Sequence, residues 1–234
     1  MSTIANNLQQ IQQRMARACA AAGREGAQVR LLAVSKTQPP EALVQAVAAG
    51  QRAFGENYVQ EGVDKIAALR ALGHAGLEWH CIGPLQSNKT RLVAEAFDWV
   101  HTIDRLKIAE RLSDQRPAGL PPLQVCVQVN VDGGANKSGV TPAELPALAH
   151  AVARLPRLQL RGLMAIPEPA PNPAAARAVF ARVQALYQAL QAEGLPLDTL
   201  SMGMSDDLEP AIASGSTLVR VGSAIFGARP LRPG

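Results

Sequence analysis

Aromatic residues, cysteine and lysine are all scarce in this chain, and each scarcity removes a class of protein. Phe, Trp and Tyr make up 3% of the 234 residues, and the arginines are scattered with no basic run. A nucleic-acid surface needs clustered positive charge, often with aromatics on which bases stack, so the net charge of +4 does not by itself point to nucleic acid. Three widely spaced cysteines, Cys19, Cys81 and Cys126, make no disulfide framework, and a reducing cytoplasm is the expected compartment. His80, Cys81, His101 and Cys126 lack the spacing of a metal site. No apolar run reaches the roughly 18–20 residues of a membrane span. The segment from Met1 to Gln13 is polar and lacks the apolar stretch of a signal peptide. With 47% hydrophobic and 18% charged residues, the chain can bury a core and is not of disordered composition. Only five lysines, Lys36, Lys65, Lys89, Lys107 and Lys137, stand against 18 arginines. In a sequence so biased towards Arg and Ala, a lysine kept in an apolar segment carries more weight, because burying an ammonium is costly.

What the sequence does have is an alternation of short β-like runs and helical runs. An opening helix is expected from Ile4 to Ala22, stopped by Gly23. Strands are expected over Val29–Ser35, Ala53–Tyr58, Leu77–Ile82, Trp99–Ile103, Leu123–Val131, Leu158–Ile166, Thr199–Met204 and Thr217–Phe226. Helical stretches separate them, the first beginning at Pro39-Pro40-Glu41 and stopping at Gly50, as Pro near the start and Gly past the end predict. The proline-rich stretch ending at Pro173 reads as a loop. Such alternation implies a parallel sheet, since each crossover is a helix. Eight units in a chain of this size predict an α/β fold, a single closed (β/α)8 TIM-type barrel with an extra N-terminal helix. One barrel domain is expected over residues 1–234, with an open doubly wound sheet as the alternative.

A barrel gives function an address, the ends of the strands where the βα loops begin. Strand one ends in Leu31-Leu-Ala-Val-Ser-Lys-Thr, where alternation puts Leu32, Val34 and Lys36 on one face. A partly desolvated lysine there favours its neutral amine, the nucleophile that forms a Schiff base; a lysine that merely snorkels to water is the plainer alternative. Strand seven brings Ser201, Gly203 and Ser205, with a helix opening at Asp206. Strand eight brings Arg220, Gly222 and Ser223. Small residues beside a helix N-terminus suit an anion, and barrels often build phosphate sites after strands seven and eight, although each segment alone also reads as a cap and a turn. Asn57 and His80 stand near strand ends and could bond a ligand, while His80 could equally be a satisfied core histidine. Asn130 to Gly139 is Gly-rich but lacks the spacing of a nucleotide P-loop, and reads as the flexible loop after strand five.

Those features together describe a pyridoxal-phosphate site, and the sequence resembles the YggS/PROSC family of pyridoxal phosphate homeostasis proteins nearly from end to end. The resemblance rests on Ala33-Val-Ser-Lys-Thr, Phe54-Gly-Glu-Asn-Tyr-Val-Gln-Glu and Trp79-His-Cys-Ile-Gly-Pro-Leu-Gln-Ser-Asn-Lys. It continues through Asn136-Lys-Ser-Gly, Arg161-Gly-Leu-Met, Leu200-Ser-Met-Gly-Met-Ser-Asp-Asp-Leu and Val219-Arg-Val-Gly-Ser-Ala-Ile-Phe-Gly. It implies the barrel of the alanine racemase N-terminal domain. It also implies pyridoxal 5′-phosphate held covalently, as a Schiff base on Lys36. Ser201, Gly203, Ser205, Gly222 and Ser223 fall where the family binds the phosphate, Arg220 where it contacts the pyridine nitrogen, and Asn57 in the pocket lining. Gln38 departs from the pattern, since many members carry a second lysine there, which puts a relay through that lysine in doubt.

The resemblance leaves carrier and enzyme to be separated by chemistry. Arginine cannot accept a ring proton, so a cofactor facing Arg220 is a weaker electron sink than one facing a carboxylate. A racemase needs a second base, which a further domain and a dimer partner supply in alanine racemase. The chain ends eight residues after Phe226, so that domain is expected to be absent. The expectation is a monomeric cofactor-homeostasis protein with no turnover of its own, whose partners are pyridoxal 5′-phosphate and apo-forms of the enzymes that use it. The alternative is a stand-alone racemase-like enzyme with Tyr58, His80 or Lys137 as its base. A nucleic-acid or protein scaffold has no local feature in its favour.

Overall fold

The structure is a computed structural model that describes residues 3–133 and 138–227. Helix α1 (Ile4–Ala21) precedes the first strand. Eight strands then alternate with helices: β1 (Arg30–Val34), α2 (Pro40–Ala48), β2 (Ala53–Glu56), α3 (Val59–Ala71), β3 (Glu78–Cys81), α4 (Thr90–Ala96) and β4 (Trp99–Ile103). The second half continues as α5 (Leu106–Gln115), β5 (Leu123–Gln128), α6 (Leu145–Ala153), β6 (Leu158–Met164), α7 (Pro173–Ala192), β7 (Thr199–Ser201), α8 (Leu208–Ala213), β8 (Leu218–Val221) and α9 (Ser223–Phe226). The strands close into one parallel barrel in sequence order, with β1 pairing both β2 and β8. The closed barrel expected from the sequence is therefore the fold, and the open sheet is not.

Burial explains why the strands read as continuous apolar runs. All five residues of β4 are buried, because one face meets the helices and the other the barrel interior. Phe54, Val100, Ile103, Leu112 and Phe180 belong to the large layer between strands and helices. The interior holds two small apolar groups, Leu32 with Ile82 and Leu218, and Trp99 with Cys126 and Met164. Much of the remaining interior is polar, which an ordinary barrel core of branched aliphatics is not.

Helix α1 buries Leu8, Ile11, Met15, Ala18 and Cys19, the stripe that a spacing of three to four residues creates. It lies against α8 and α9 and is bonded to the chain beyond β7 and β8. The Arg14 Nη2 donates to the Ser205 carbonyl at 3.1 Å, and the Arg14 Nε to Glu209 at 2.9 Å. Asn7 Nδ2 donates to the Ile225 carbonyl at 2.8 Å. The extra helix thus braces the strand ends that the sequence marks for an anion.

Several strand ends differ from expectation. The run Thr217–Phe226 is not one strand: β8 stops at Val221, and the Gly222 carbonyl accepts the N–H groups of Ile225 and Phe226 to start α9. Strand β7 stops at Ser201, and Gly203 turns the chain at φ +94°. The next helix opens at Leu208 rather than Asp206, because Asp207 Oδ1 accepts the Met204 N–H at 2.6 Å and holds the chain in a turn. Strands β2 and β5 also end early, at Glu56 and Gln128. Among the described residues no helix is long and apolar enough to cross a membrane.

Candidate functional site

A cavity of ≈ 370 Å³ opens at the C-terminal mouth of the barrel. Lys36, Asn57, Ser205, Arg220, Gly222 and Ser223 all stand in its wall, together with Val34, Ile82, Ile166 and Met204. Six of the eight sequence-predicted site residues are thereby gathered from the ends of four strands.

Lys36 is not on β1 itself but one step into the following turn. The Gln38 N–H donates to the Ser35 carbonyl at 3.0 Å, which closes a β-turn around Lys36 and Thr37. Thr37 occupies its third position at φ +64°, the left-handed region that normally favours glycine. A buried charged cluster holds this turn from behind. Ser35 Oγ donates to Glu56 Oε1 at 2.6 Å, and the Thr37 N–H to Glu61 Oε1 at 2.5 Å. Lys65 Nζ spends its three donors on the Ser35 carbonyl at 2.6 Å, Glu56 at 2.8 Å and Glu61 at 2.7 Å. Burial pushes the Glu56 carboxyl above the usual carboxylate range, against the pull of Lys65. Both neighbours of Lys36 are therefore tied down, while its own side chain lines the cavity.

The strained residue yields a prediction. The left-handed region costs an L-residue about 1–2 kcal/mol, and the Thr37 hydroxyl is buried with no hydrogen-bond partner. Thr37→Gly relieves both at an unfolded-state entropy cost of about 0.4–1 kcal/mol. The expected result is a net gain of about 1 kcal/mol in denaturant unfolding. A loss of stability would show that the turn is not strained.

Asn57 follows β2, and its Oδ1 is buried in the cavity wall without a hydrogen-bond partner. The chain there leans on Gly83, where any Cβ would stand 2.0 Å from the Asn57 carbonyl oxygen. Gly83 is a positional requirement that the sequence reading missed. Only the contact across two strand ends shows it.

Arg220 lies on β8 with its guanidinium buried. Nη1 donates to Ser201 Oγ at 2.7 Å and Nη2 to the Ala165 carbonyl at 2.9 Å. Burial lowers its pKa to about 10, against the pull of Asp207, so it is still cationic at neutral pH. Gly222 lets β8 pass β1, since a Cβ there would stand 3.1 Å from the Val34 carbonyl oxygen.

Two predicted residues lie behind the cavity rather than in its wall. Ser201, Gly203 and Ser205 do not share a strand face as expected, because β7 ends at Ser201. Ser201 points into the barrel interior, bonded to Arg220 and to His101. Gly203 packs on α8, where a Cβ would stand 2.5 Å from Ala211 Cβ, and its carbonyl accepts the Arg220 N–H at 2.9 Å. Of the expected bases, His80 is a fully buried core residue bonded to Glu78 and His101, and Tyr58 is 54% exposed; neither lines the cavity. Lys137, with Gly134, Ala135 and Asn136, lies outside the described residues.

The donor set has a definite chemistry. It combines a primary amine, a buried guanidinium, two serine hydroxyls beside a glycine that a Cβ would crowd, and an unused amide oxygen. An anionic ligand with an aldehyde and a polar aromatic ring fits those groups.

Comparison with known proteins agrees with the fold. The family described as alanine racemase, N-terminal domain, matches residues 2–230, and the chain belongs to that family. It is 62% identical over 229 residues to the pyridoxal phosphate homeostasis protein of Pseudomonas aeruginosa, covering 98% of this chain and 97% of the relative. Identity to the protein of the same name from Escherichia coli is 58% over 229 residues, covering 98% of each. Among solved structures, PipY of Synechococcus elongatus with PLP bound superposes with a TM-score of 0.79 at 40% identity, covering 91% of this chain and 100% of that one. An alanine racemase from Corynebacterium glutamicum shares the fold, with a TM-score of 0.67 at 20% identity over 99% of this chain and 62% of the racemase chain.

Proposed function

We propose that this member of the alanine racemase N-terminal domain family binds pyridoxal 5′-phosphate at the C-terminal mouth of its barrel and serves the homeostasis of that cofactor. The observation that carries the reading is the convergence of Lys36, Asn57, Ser205, Arg220, Gly222 and Ser223 on one cavity. When bound, the cofactor supplies a reactive aldehyde and an electron-poor ring. Lys36 would hold the aldehyde carbon through its ε-amine, the aldehyde oxygen leaving as water, on a turn whose two flanks are fixed. The hydroxyls of Ser205 and Ser223 and the backbone at Gly222 take the phosphate, and Arg14 steadies Ser205 from α1. Ser201 and Gly203 support that end from behind, through Arg220. Arg220 would face the ring nitrogen as a permanent donor and disfavour its protonation. The Asn57 oxygen accepts from a donor on the ligand.

The role follows from what these groups do together. They bind and shield an aldehyde, and they leave the ring a weak electron sink. A racemase would need a second base at the cavity; of the three candidates Tyr58 and His80 do not line it, and Lys137 lies outside the described residues. We therefore read the protein as a carrier that sequesters the cofactor and supplies it to apo-enzymes, acting as a one-domain monomer in the cytoplasm with no turnover of its own.

The test is spectroscopic. Protein incubated with pyridoxal phosphate should show an absorbance band that borohydride removes, and mass mapping should place the reduced pyridoxyl group on Lys36. Lys36→Ala should lose both band and adduct. An adduct on other lysines, or none, would overturn the anchor. Turnover of alanine by the purified protein, abolished in Lys36→Ala, would replace the carrier with the racemase.

A further inference from the structure

A file of polar side chains runs through the inside of the barrel from one mouth to the other. It begins at the N-terminal mouth, where the Arg30 guanidinium donates to Glu78 Oε1 at 2.5 Å. Glu78 Oε1 meets His80 Nε2 at 2.6 Å, His80 Nδ1 meets His101 Nε2 at 2.8 Å, and His101 Nδ1 meets Ser201 Oγ at 2.9 Å. Ser201 Oγ then accepts from Arg220 Nη1 at 2.7 Å, in the wall of the cofactor cavity. His80, His101, Ser201 and Arg220 are all buried. Trp99 stacks on His80 with ring centroids 5.2 Å apart, leaving the two imidazoles little room to turn.

The two ends of the file impose its direction. Arg220 can only donate, so Ser201 Oγ must accept from it. An ionised Glu78 can only accept, so His80 Nε2 must carry a hydrogen. Burial holds both imidazoles neutral, against the pull of Glu78 on His80 and with the charges of Arg220 and Arg30 reinforcing it at His101. A neutral His80 then offers a lone pair at Nδ1, which requires hydrogen on His101 Nε2. His101 in turn offers a lone pair at Nδ1, which takes the Ser201 O–H. Every donor now faces an acceptor, with both histidines as Nε2–H tautomers. The Ser201 hydrogen is pinned on His101, and its lone pair is turned to Arg220.

We infer that Glu78, His80, His101 and Ser201 form a positioning relay that sets, from the opposite mouth of the barrel, the orientation of Arg220 in the cofactor cavity. The role given to Arg220 rests on the pyridoxal phosphate reading; the relay itself does not require the cofactor. Removing the acceptor at the far end frees both imidazoles to reverse, to Nδ1–H. Ser201 then receives a hydrogen from His101 in place of giving one, and its hold on Arg220 changes.

The experiment uses the whole, cofactor-free protein labelled with ¹⁵N, read by long-range ¹H–¹⁵N spectra of the imidazoles and of the Arg220 guanidinium. The wild type should show His80 and His101 as neutral Nε2–H tautomers at neutral pH. Glu78→Leu should switch His101, a residue it does not touch, to Nδ1–H and shift the Arg220 signals. Glu78→Gln keeps a carbonyl acceptor and should retain the wild-type pattern, which a packing role would not predict. A wild type with either histidine charged or Nδ1–H overturns the relay, as does an unchanged His101 or Arg220 in Glu78→Leu. The wild-type spectrum decides even if a variant fails to fold. Failure of the cofactor reading would show separately, as a wild type with no reducible adduct.

Discussion

Lys65→Ala is expected to cost about 3–5 kcal/mol of folding stability, because it leaves buried charge without its partner. The ammonium of Lys65 is only 4% exposed as a residue and has all three donors engaged. Its loss strands Glu56, which is 1% exposed and already held above the usual carboxylate range by burial. A loss of that size is a fifth or more of the roughly 5–15 kcal/mol that holds a domain folded. Urea unfolding at neutral pH measures it. Adding Glu56→Gln to Lys65→Ala removes the stranded charge and should recover part of the loss. A single variant within about 1 kcal/mol of wild type would mean that the cluster is solvated, as exposed pairs are. The functional consequence lies one residue away. Lys65 and Glu61 fix the Ser35 carbonyl and the Thr37 N–H on either side of Lys36, so a chain that survives the substitution should carry a less ordered lysine.

This cluster also shows where the sequence stops being informative. The eight β-then-α units were legible because short apolar runs and helical runs alternate, with Pro and Gly at their boundaries, which are local signals. The end of β8 was not, because Val219-Arg-Val-Gly-Ser-Ala-Ile-Phe is apolar enough to read as one strand, and only the amide bonds to the Gly222 carbonyl break it. At the site, Lys36, Arg220, Gly222 and Ser223 could be placed by strand ordinal alone. Ser201 and Gly203 could not, because the strand-face argument assumes that β7 continues and it ends at Ser201. The spacing of Glu61 and Lys65 is the four residues of a helical ion pair, and so was visible. Their convergence on Ser35 and Thr37 spans 24 to 30 residues and depends on β1 and β2 pairing. Likewise His80 could be noticed as a polar residue on a strand, but its line to Arg220 crosses the barrel.

Acid should destabilise the protein well before its carboxylates titrate, and the two interior histidines are the reason. Both are fully buried and their pKa values are lowered, His101 well below the ordinary 6.5, chiefly by burial. In the unfolded chain each imidazole returns to about 6.5. The folded value is the lower one, so the unfolded state binds more protons as pH falls below 6.5. The stability these groups contribute is therefore complete above that pH and is lost as pH drops towards their folded values. While both stay neutral in the fold, the loss is about 1.4 kcal/mol per pH unit for each imidazole. Glu78 adds a loss of the same sign below pH 4.5. Burial opposes its ionisation, but the hydrogen bond from His80 and the charge of Arg30 hold its carboxyl below the usual carboxylate range. Glu56 and Asp207, whose carboxyls burial raises, act in the opposite sense and offset part of the loss near the carboxylate range. The clean window is thus below pH 6.5 and above the carboxylate range, where linkage predicts proton uptake on unfolding from these imidazoles. Urea unfolding across that window measures the uptake as the slope of stability with pH. His101→Gln should reduce it by about one proton. An unchanged slope in that variant would mean that His101 is charged inside the barrel. A charged imidazole there would put hydrogen on both ring nitrogens, and the single direction of the file from Arg220 to Glu78 would no longer hold.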